Sequence, residues 1–373
     1  MKQDARLEKL TENIFDYSLK VEEGECFLVW CCEGSQYLLK NLAVEAVKRG
    51  ITLIYTLQEE YVIQAFLSTL PSNSDRAQAA VNLVIDGLEN QLKQVDGIII
   101  IRGKELRNPF EGVLPDNVIL WQRGIGKLFA ISINTKKWVV LDWPTQLQAD
   151  KAGMTYNQFY DYVMRVSGID YAALHKAALP LKELLDKTDK VQIFGRGTNL
   201  TFSKKGINTI IGTAENSYID GEVYTAPVRE SLEGYLTYNI ATNYLGHDFE
   251  GVRFVFSKGK IVEASCEKGS VEMLNRILDT DDGARYIGEF ALGINPEVTV
   301  PMNDIHYDEK INASFHLTPG QCYDTAPNGN TSSVHWDLVC LQTPEMGGGE
   351  IWCDGRLIRK NGKFVIPELE PLG

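Results

Sequence analysis

Four apolar runs in the first 145 residues constrain the fold more than any other feature of the sequence. The runs are CFLVWCC (26–32), ITLIYTL (51–57), DGIIIIRG (96–103) and KWVVLDW (137–143), and they are rich in β-branched and other apolar side chains. Helical patterns separate them, such as QYLLKNLAVEAVKRG (36–50), which ends with basic residues and a glycine. Strands of a parallel sheet are buried on both faces and joined by helices, so this alternation predicts an α/β domain with a mostly parallel sheet.

The pattern changes after about residue 190. Short β-like runs such as GVRFVFSKGKIVEASC (251–266) follow one another, and one helical stretch, VEMLNRILD (271–279), interrupts them. The pairs Lys258-Gly259 and Asn361-Gly362 predict tight hairpin turns. A chain of 373 residues exceeds one ordinary core. We therefore predict two domains: an α/β domain with linking helices at 1–187, and an α+β, antiparallel-rich domain at 188–373.

Composition and the first residues limit the class of protein. The formal net charge of -13 argues against a nucleic-acid partner, because phosphate binding needs clustered lysine and arginine. The sequence contains no run of about 18 apolar residues, so no membrane span is predicted. Residues 1–20 form an amphipathic helical pattern without the apolar core of a signal peptide. Seven scattered cysteines without a CxxC pair fit reduced thiols, which predicts a cytoplasmic protein.

The residues that carry chemistry concentrate in the second half of the chain. In His335-Trp336-Asp337, residues i and i+2 of a strand would project to one face, so an imidazole and a carboxylate would reach the same metal ion. His316, in the strand-like INASFHL (311–317), and Tyr323, seven residues later, add two further donors.

Two glutamates stand in apolar surroundings. Glu222 lies in DGEVYTAP and Glu289 in YIGEFALGINPEV. Burial of a carboxylate costs several kcal/mol unless a cation compensates. That cation is either a metal ion or an arginine, for which Arg229 and Arg285 are the nearest candidates.

Four segments together resemble the successive motifs of the aminopeptidase T family: GEVYTAP (221–227), GEFALGINPEV (288–298), DEKINASFHL (308–317) and SSVHWDLVC (332–340). GRGTNLTFS (195–203) and PTQLQADKAGMTYNQFYDYV (144–163) are similar to further family segments, so the likeness runs from about residue 140 to the end. The chain departs from the family at Asn199, where an aspartate is usual, and in a shorter segment between Tyr323 and His335.

The resemblance implies a metalloaminopeptidase that hydrolyses N-terminal residues from peptides, through a water activated by two divalent ions of zinc, cobalt or manganese. The implied metal ligands are Glu222, Glu289, His316, Tyr323, His335 and Asp337, all present in this sequence. Glu222 or Asp337 is expected to bridge the ions. Glu289 is expected as ligand, general base or both, and Tyr323 as ligand or oxyanion donor, so Glu222, Glu289 and Tyr323 are the candidate catalytic residues. The resemblance also implies a homodimer. Asp308 and Glu309 are expected to form surface salt bridges.

Two alternatives remain open at the level of sequence. His316, His335 and Asp337 form a two-histidine, one-carboxylate set, which is the ligand type of mononuclear non-haem Fe(II) oxygenases, here a ring-cleaving dioxygenase of a dihydroxypyridine-like substrate. The second alternative is a non-catalytic peptide-binding relative. The presence of Glu222, Glu289 and Tyr323 beside that set favours a second metal ion and a hydrolase.

Overall fold

The computed structural model describes residues 4–72 and 74–373 of the chain. Its contacts divide the chain into two units, one of Met1–Ile169 with Ala214–Ile219 and one of Asp170–Thr213 with Asp220–Gly373. The domain limits at 1–187 and 188–373 stay a prediction. In the division by contacts, the helix before residue 188 belongs to the second unit, where it packs against the carboxy-terminal 3-10 turn.

The first unit contains a five-stranded sheet in which every strand pairing is parallel, with the order β2-β1-β3-β4-β8. This confirms the predicted parallel sheet. Its strands are β1 (Cys26–Cys31), β2 (Thr52–Leu57), β3 (Gly97–Gly103), β4 (Lys137–Trp143) and, from the returning segment, β8 (Ser217–Tyr218).

Seven α-helices and one short π-helical segment (Asn13–Ser18) belong to the described part of this unit. The α-helices are α1 (Ala5–Glu12), α2 (Gln36–Lys48), α3 (Glu60–Ser68), α4 (Asp75–Lys93), α5 (Pro115–Thr135), α6 (Gln146–Lys151) and α7 (Tyr156–Ser167). The predicted helical pattern at 1–20 corresponds to α1 and the π-helical segment, and residues 1–3 lie outside the described part.

The core of the first unit lies between the inner strands and the long helices. Leu28 and Ile98 of the sheet pack with Leu88 and Trp121 of α4 and α5. Strand β2 differs from the expectation of a strand buried on both faces, because it forms one edge of the sheet. Its Tyr55 is 66% exposed.

The second unit is built from antiparallel strands, as predicted. An eight-stranded sheet has the order β14-β13-β10-β6-β5-β18-β19-β20, a five-stranded sheet has the order β17-β16-β15-β9-β7, and β11 pairs with β12. The strands are β5 (Lys190–Gly195), β6 (Thr198–Ser203), β7 (Ile210–Gly212), β9 (Glu222–Thr225), β10 (Glu233–Thr237), β11 (Thr242–Tyr244), β12 (His247–Phe249), β13 (Arg253–Ser257), β14 (Lys260–Ser265), β15 (Ile287–Gly293), β16 (Ser314–Pro319), β17 (Val339–Leu341), β18 (Gly349–Cys353), β19 (Arg356–Lys360) and β20 (Lys363–Phe364).

Helices and turns complete this unit. The helices are α8 (Tyr171–Lys187), α9 (Val271–Leu278), α10 (Ile305–Asp308) and the 3-10 turns Pro344–Met346 and Pro367–Leu372. Both predicted hairpin turns are confirmed: Lys258-Gly259 joins β13 to β14 and Asn361-Gly362 joins β19 to β20, with positive φ at all four residues. The two larger sheets share a core, in which the rings of Phe202 (β6) and Phe290 (β15) lie 5.1 Å apart.

All seven cysteines are free thiols, and five of them are buried. Within the described residues, no helix is long and apolar enough to cross a bilayer.

Candidate metal centre

Three adjacent strands of the five-stranded sheet present donor side chains on one face. Glu222 begins β9, Glu289 lies in β15 and His316 lies in β16. Because alternate residues of a strand face the same side, these three side chains project together. Ala291 lies opposite His316 in the register, between the two glutamates. Its methyl group leaves room for the longer side chains around it.

The donor atoms of these three side chains converge in the interior. His316 Nε2 lies 3.4 Å from Glu222 Oε2 and 3.5 Å from Glu289 Oε1. One donor atom from each residue falls within 4.8 Å of the others, and all three residues are buried. The strand positions predicted for His316 and the burial predicted for both glutamates are therefore found in the structure.

The His335–Asp337 segment reaches the same place by a different geometry from the one predicted. The segment is not a regular strand: His335 makes an isolated bridge to Gly320, and β17 begins only at Val339. Trp336 is fully buried and stacks on Tyr244 with ring centroids 4.8 Å apart. Because the Trp336 indole is held on one side of this segment, the side chains of His335 and Asp337 both point to the opposite side.

A second set of donors forms there. His335 Nε2 lies 3.3 Å from Asp337 Oδ1 and 3.4 Å from Glu289 Oε2. Donor atoms of these three residues also lie within 4.8 Å of one another. Glu289 therefore belongs to both sets, with Oε1 directed to His316 and Oε2 to His335.

Hydrogen bonds orient the donors of the second set. His335 Nδ1 lies 2.9 Å from the carbonyl oxygen of Gln321, which can only accept, so Nδ1 carries a proton and Nε2 faces the carboxylates. Thr318 donates from Oγ1 to Asp337 Oδ1 at 2.6 Å. Upstream, Asp281 accepts from the side chains of Ser332 and Ser333 at 2.7 and 2.8 Å, which anchors the loop that leads into His335.

Tyr323 lies beside the cluster and is partly exposed. Its ring centroid is 5.0 Å from that of His335 and 5.2 Å from that of Tyr224, and the residue is 44% exposed. The structure thus brings together all six residues predicted from the sequence, five as converging donors and Tyr323 as a flanking ring.

The cation that accompanies Glu222 is a lysine that sequence reasoning missed. Lys310 Nζ lies 2.7 Å from Glu222 Oε1, 2.8 Å from Glu309 Oε1 and 3.6 Å from Asp220 Oδ1, and Lys310 is 6% exposed. The only signal was its place after two acidic residues and before the apolar strand β16.

Two further expectations need correction. Arg229 stacks over the Tyr286 ring and Arg285 pairs with Asp279, so among the described contacts neither arginine compensates Glu222 or Glu289. Asp308 and Glu309 are not surface salt-bridge residues. Asp308 is buried and accepts from the Met302 amide at 2.6 Å, while Glu309 pairs with the buried lysine.

The cluster carries an excess of negative charge. Burial, with a contribution from Glu289, raises the pKa of Glu222 to about 7 even though Lys310 acts to lower it. Burial acts to lower the pKa of His335, but Asp337 and Glu289 raise it to about 12. The same competition raises the pKa of His316 to about 9. The carboxylates therefore stabilise positive charge near the donor atoms. Without a bound metal ion, protons on the two imidazoles provide that charge.

The residues fit a divalent metal ion. Glu222 Oε2 and His335 Nε2 are buried and form no hydrogen bond within the described residues, although both point into the cluster. Buried polar atoms in proteins almost always have a hydrogen-bond or ionic partner, so a bound cation is the expected partner of each of these two atoms. Carboxylate oxygens and imidazole nitrogens are ligands that zinc, cobalt and manganese accept.

Comparison with known proteins agrees with this chemistry. A profile of the family described as thermophilic metalloprotease (M29) matches residues 3–364. Aminopeptidase T of Thermus thermophilus is 25% identical over 411 aligned residues, covering 96% of this chain and 98% of that protein. Aminopeptidase 2 of Geobacillus stearothermophilus is 33% identical over 158 residues, which cover 38% of this chain and 36% of that protein.

The fold has a counterpart among solved structures. Wild-type AmpT from Thermus thermophilus matches with a TM-score of 0.78 at 21% identity, covering 97% of this chain and 99% of that one, and so shares its fold. The family resemblance predicted from the sequence is confirmed. The chain belongs to the thermophilic metalloprotease (M29) family of metal-dependent hydrolases.

Proposed function

We propose that the protein is an aminopeptidase that works with two divalent metal ions, held by Glu222, Glu289 and His316 on one side and by Glu289, His335 and Asp337 on the other. The observation that carries the proposal is the pair of donor sets that share one glutamate. Support for the substrate comes from relatives named aminopeptidase T, one of which aligns with nearly the whole chain. A cytoplasmic homodimer is part of the proposal; the location is inferred from the free cysteines, and the dimer from the family resemblance.

The charges around the cluster favour two ions over one. When all are ionised, five carboxylates contribute five negative charges, and Lys310 contributes one positive charge. Two divalent ions would add four positive charges and cancel the remainder, whereas a single iron would leave two negative charges buried. These carboxylates belong to Asp220, Glu222, Glu289, Glu309 and Asp337.

The contacts favour Glu289, rather than Glu222 or Asp337, as the bridging ligand. Glu222 uses Oε1 for Lys310, so only Oε2 is directed to the donors. Asp337 uses Oδ1 both for the Thr318 hydroxyl and towards His335. Glu289 alone directs one oxygen to each histidine. With both oxygens committed, it has none left to accept a proton from water, so we assign it as a ligand and not as the general base.

Bound ions and Tyr323 would both act on the scissile carbonyl of the substrate. Ions held at the two sets would polarise the scissile carbonyl and lower the pKa of a water molecule towards about 7. Tyr323, beside His335, is placed to donate a hydrogen bond to the oxyanion that develops on that carbonyl. The preference for a free N-terminus is inferred from the relatives named aminopeptidase T.

The test is a metal titration with two substrates. Protein stripped with a chelator receives zinc, cobalt, manganese or Fe(II) in steps, and hydrolysis of aminoacyl-p-nitroanilides is measured beside their N-acetylated counterparts. We expect activity to return as two equivalents of zinc, cobalt or manganese bind, and only on the substrate with a free amine. One tightly held iron without amide hydrolysis would instead establish the mononuclear oxygenase, and no metal binding would establish a peptide-binding relative.

A further inference from the structure

Lys310 makes the two donor sets electrostatically unequal. Its ammonium group contacts Glu222 Oε1 at 2.7 Å, directly behind the oxygen that faces His316. In the other set, the described partners of Asp337 are the Thr318 hydroxyl and the His335 ring, and no lysine or arginine pairs with it. One set therefore contains a carboxylate whose charge is shared with a fixed cation, and the other does not.

Three carboxylates surround the Lys310 ammonium group, those of Glu222, Glu309 and Asp220. Two of these carboxylates hold it at 2.7 and 2.8 Å, so the ammonium group cannot withdraw from the site without leaving them unpaired.

Two consequences follow for an ion held by Glu222. The hydrogen bond from Lys310 fixes the rotation of the carboxylate, so that a single oxygen is directed to the donors. The ammonium charge also repels a divalent cation on the far side of that carboxylate and weakens the oxygen as a donor. This repulsion is stronger in a buried site than in water, because the protein interior screens charges less.

We propose that Lys310 is a positioning residue that keeps the Glu222–Glu289–His316 position the weaker of the two metal positions, so that the ions load in a fixed order. The Glu289–His335–Asp337 position fills first. Before the second ion arrives, Lys310 compensates Asp220, Glu222 and Glu309 and keeps this part of the fold intact. The inference rests on the proposed two-metal function and specifies how that site is regulated by metal supply.

The experiment is calorimetric titration of the metal-free full chain with Zn²⁺, without substrate. We expect wild type to bind two equivalents of unequal affinity. Lys310→Gln, which can still donate a hydrogen bond but has no charge to repel the ion, is expected to bind the weaker equivalent at least about tenfold more tightly, with the tighter equivalent little changed. Lys310→Arg keeps the charge and should restore the wild-type difference. Lys204→Gln is the matched control, because Lys204 is also buried and its hydrogen bonds within the described residues go to carbonyl oxygens, those of Leu185 and Ile207.

A variant that does not fold without metal is still informative. Lys310→Gln purified in Zn²⁺ is then challenged with a chelator, and the release of the two ions is followed over time. Slower loss of the more labile ion than in wild type supports the inference. Unchanged or weaker binding of that ion, in either measurement, overturns it. A wild-type titration that never reaches two equivalents refutes the proposed function itself, whatever the variants do.

Discussion

Replacing Asp281 with asparagine tests how the loop before His335 is held. Asp281 Oδ1 accepts from the Ser332 hydroxyl at 2.7 Å and from the Gly283 and Ala284 amides at 3.0 Å. Its Oδ2 accepts from the Ser333 amide and hydroxyl at 2.7 and 2.8 Å. An asparagine offers one oxygen, and its amino group would face donors, so the substitution breaks the attachment of this loop to the turn at residue 281.

The magnitude follows from the pKa of this carboxyl, which the Ser333 amide and the other donors lower from 3.8 to about 2 against the opposing effect of burial. A difference of about 1.8 pKa units corresponds to about 2.4 kcal/mol at pH 7. Asp281 is partly exposed, so solvent screening reduces this to about 1–1.5 kcal/mol. Because the folded-state pKa is the lower one, the stabilisation is complete above about pH 5 and is lost as the pH falls towards 2, with about half remaining at pH 3.

The assay is urea unfolding of metal-free protein at pH 7 and pH 3, with Zn²⁺ titration at pH 7. Asp281→Asn is expected to lower the free energy of unfolding by about 1–1.5 kcal/mol at pH 7 and by about half as much at pH 3. Affinity at the Glu289–His335–Asp337 position should fall about 10–100-fold. Asp282→Asn, at the exposed neighbouring residue, is the control and should change neither quantity. A stability loss that is equal at both pH values, or unchanged zinc affinity, would refute the reasoning.

Five further substitutions have distinct expected results. Glu289→Gln should reduce bound metal from two equivalents to fewer than one, whereas Glu222→Gln should leave one; equal losses in metal analysis would contradict the shared role of Glu289. Thr318→Val should weaken one equivalent about tenfold in a zinc titration, because Asp337 loses its hydroxyl donor. Tyr323→Phe should keep both ions and lower kcat about 100-fold; loss of an ion would instead make Tyr323 a ligand. Trp336→Ala should cost about 3–5 kcal/mol in urea unfolding, and a cost below about 1 kcal/mol would mean that the indole does not fix the segment.

The strands of the first unit were predictable because their signal is local. KWVVLDW (137–143) coincides with β4, and DGIIIIRG (96–103) contains β3, since an apolar run of that length fits a strand covered on both faces. The exposure of β2 was not predictable in this way. Apart from Thr52 and Thr56 its residues are apolar, as in a buried strand, and only the order of strands in the sheet shows that it lies at an edge. Strand β8 was also not predictable, because it is two residues long and pairs with a strand far away in the sequence.

The donors of the site were predictable from motif and resemblance, but their supports were not. His316 lies in a run predicted to be strand-like, and the structure places it in β16, with Glu222 in β9 and Glu289 in β15. Lys310 and Asp281 act on the site through contacts with residues 88 and 51 positions away in sequence. Nothing local distinguishes a lysine that pairs with a buried glutamate from one in solvent. For this reason the sequence suggested two arginines as the compensating cation and missed the lysine.

The two metal positions also differ in how firmly the fold holds their ligands. Glu222, Glu289 and His316 lie on three hydrogen-bonded strands, whereas His335 and Asp337 lie on a segment fixed by one isolated bridge, the buried Trp336 and the Asp281 contacts. Rigidity alone would make the sheet position bind metal more tightly. Lys310 opposes this by placing a cation beside the set on the sheet, and the other set has none within the described contacts. The order in which the ions bind therefore reports which effect is larger, and the charge of a single buried ammonium group should decide it.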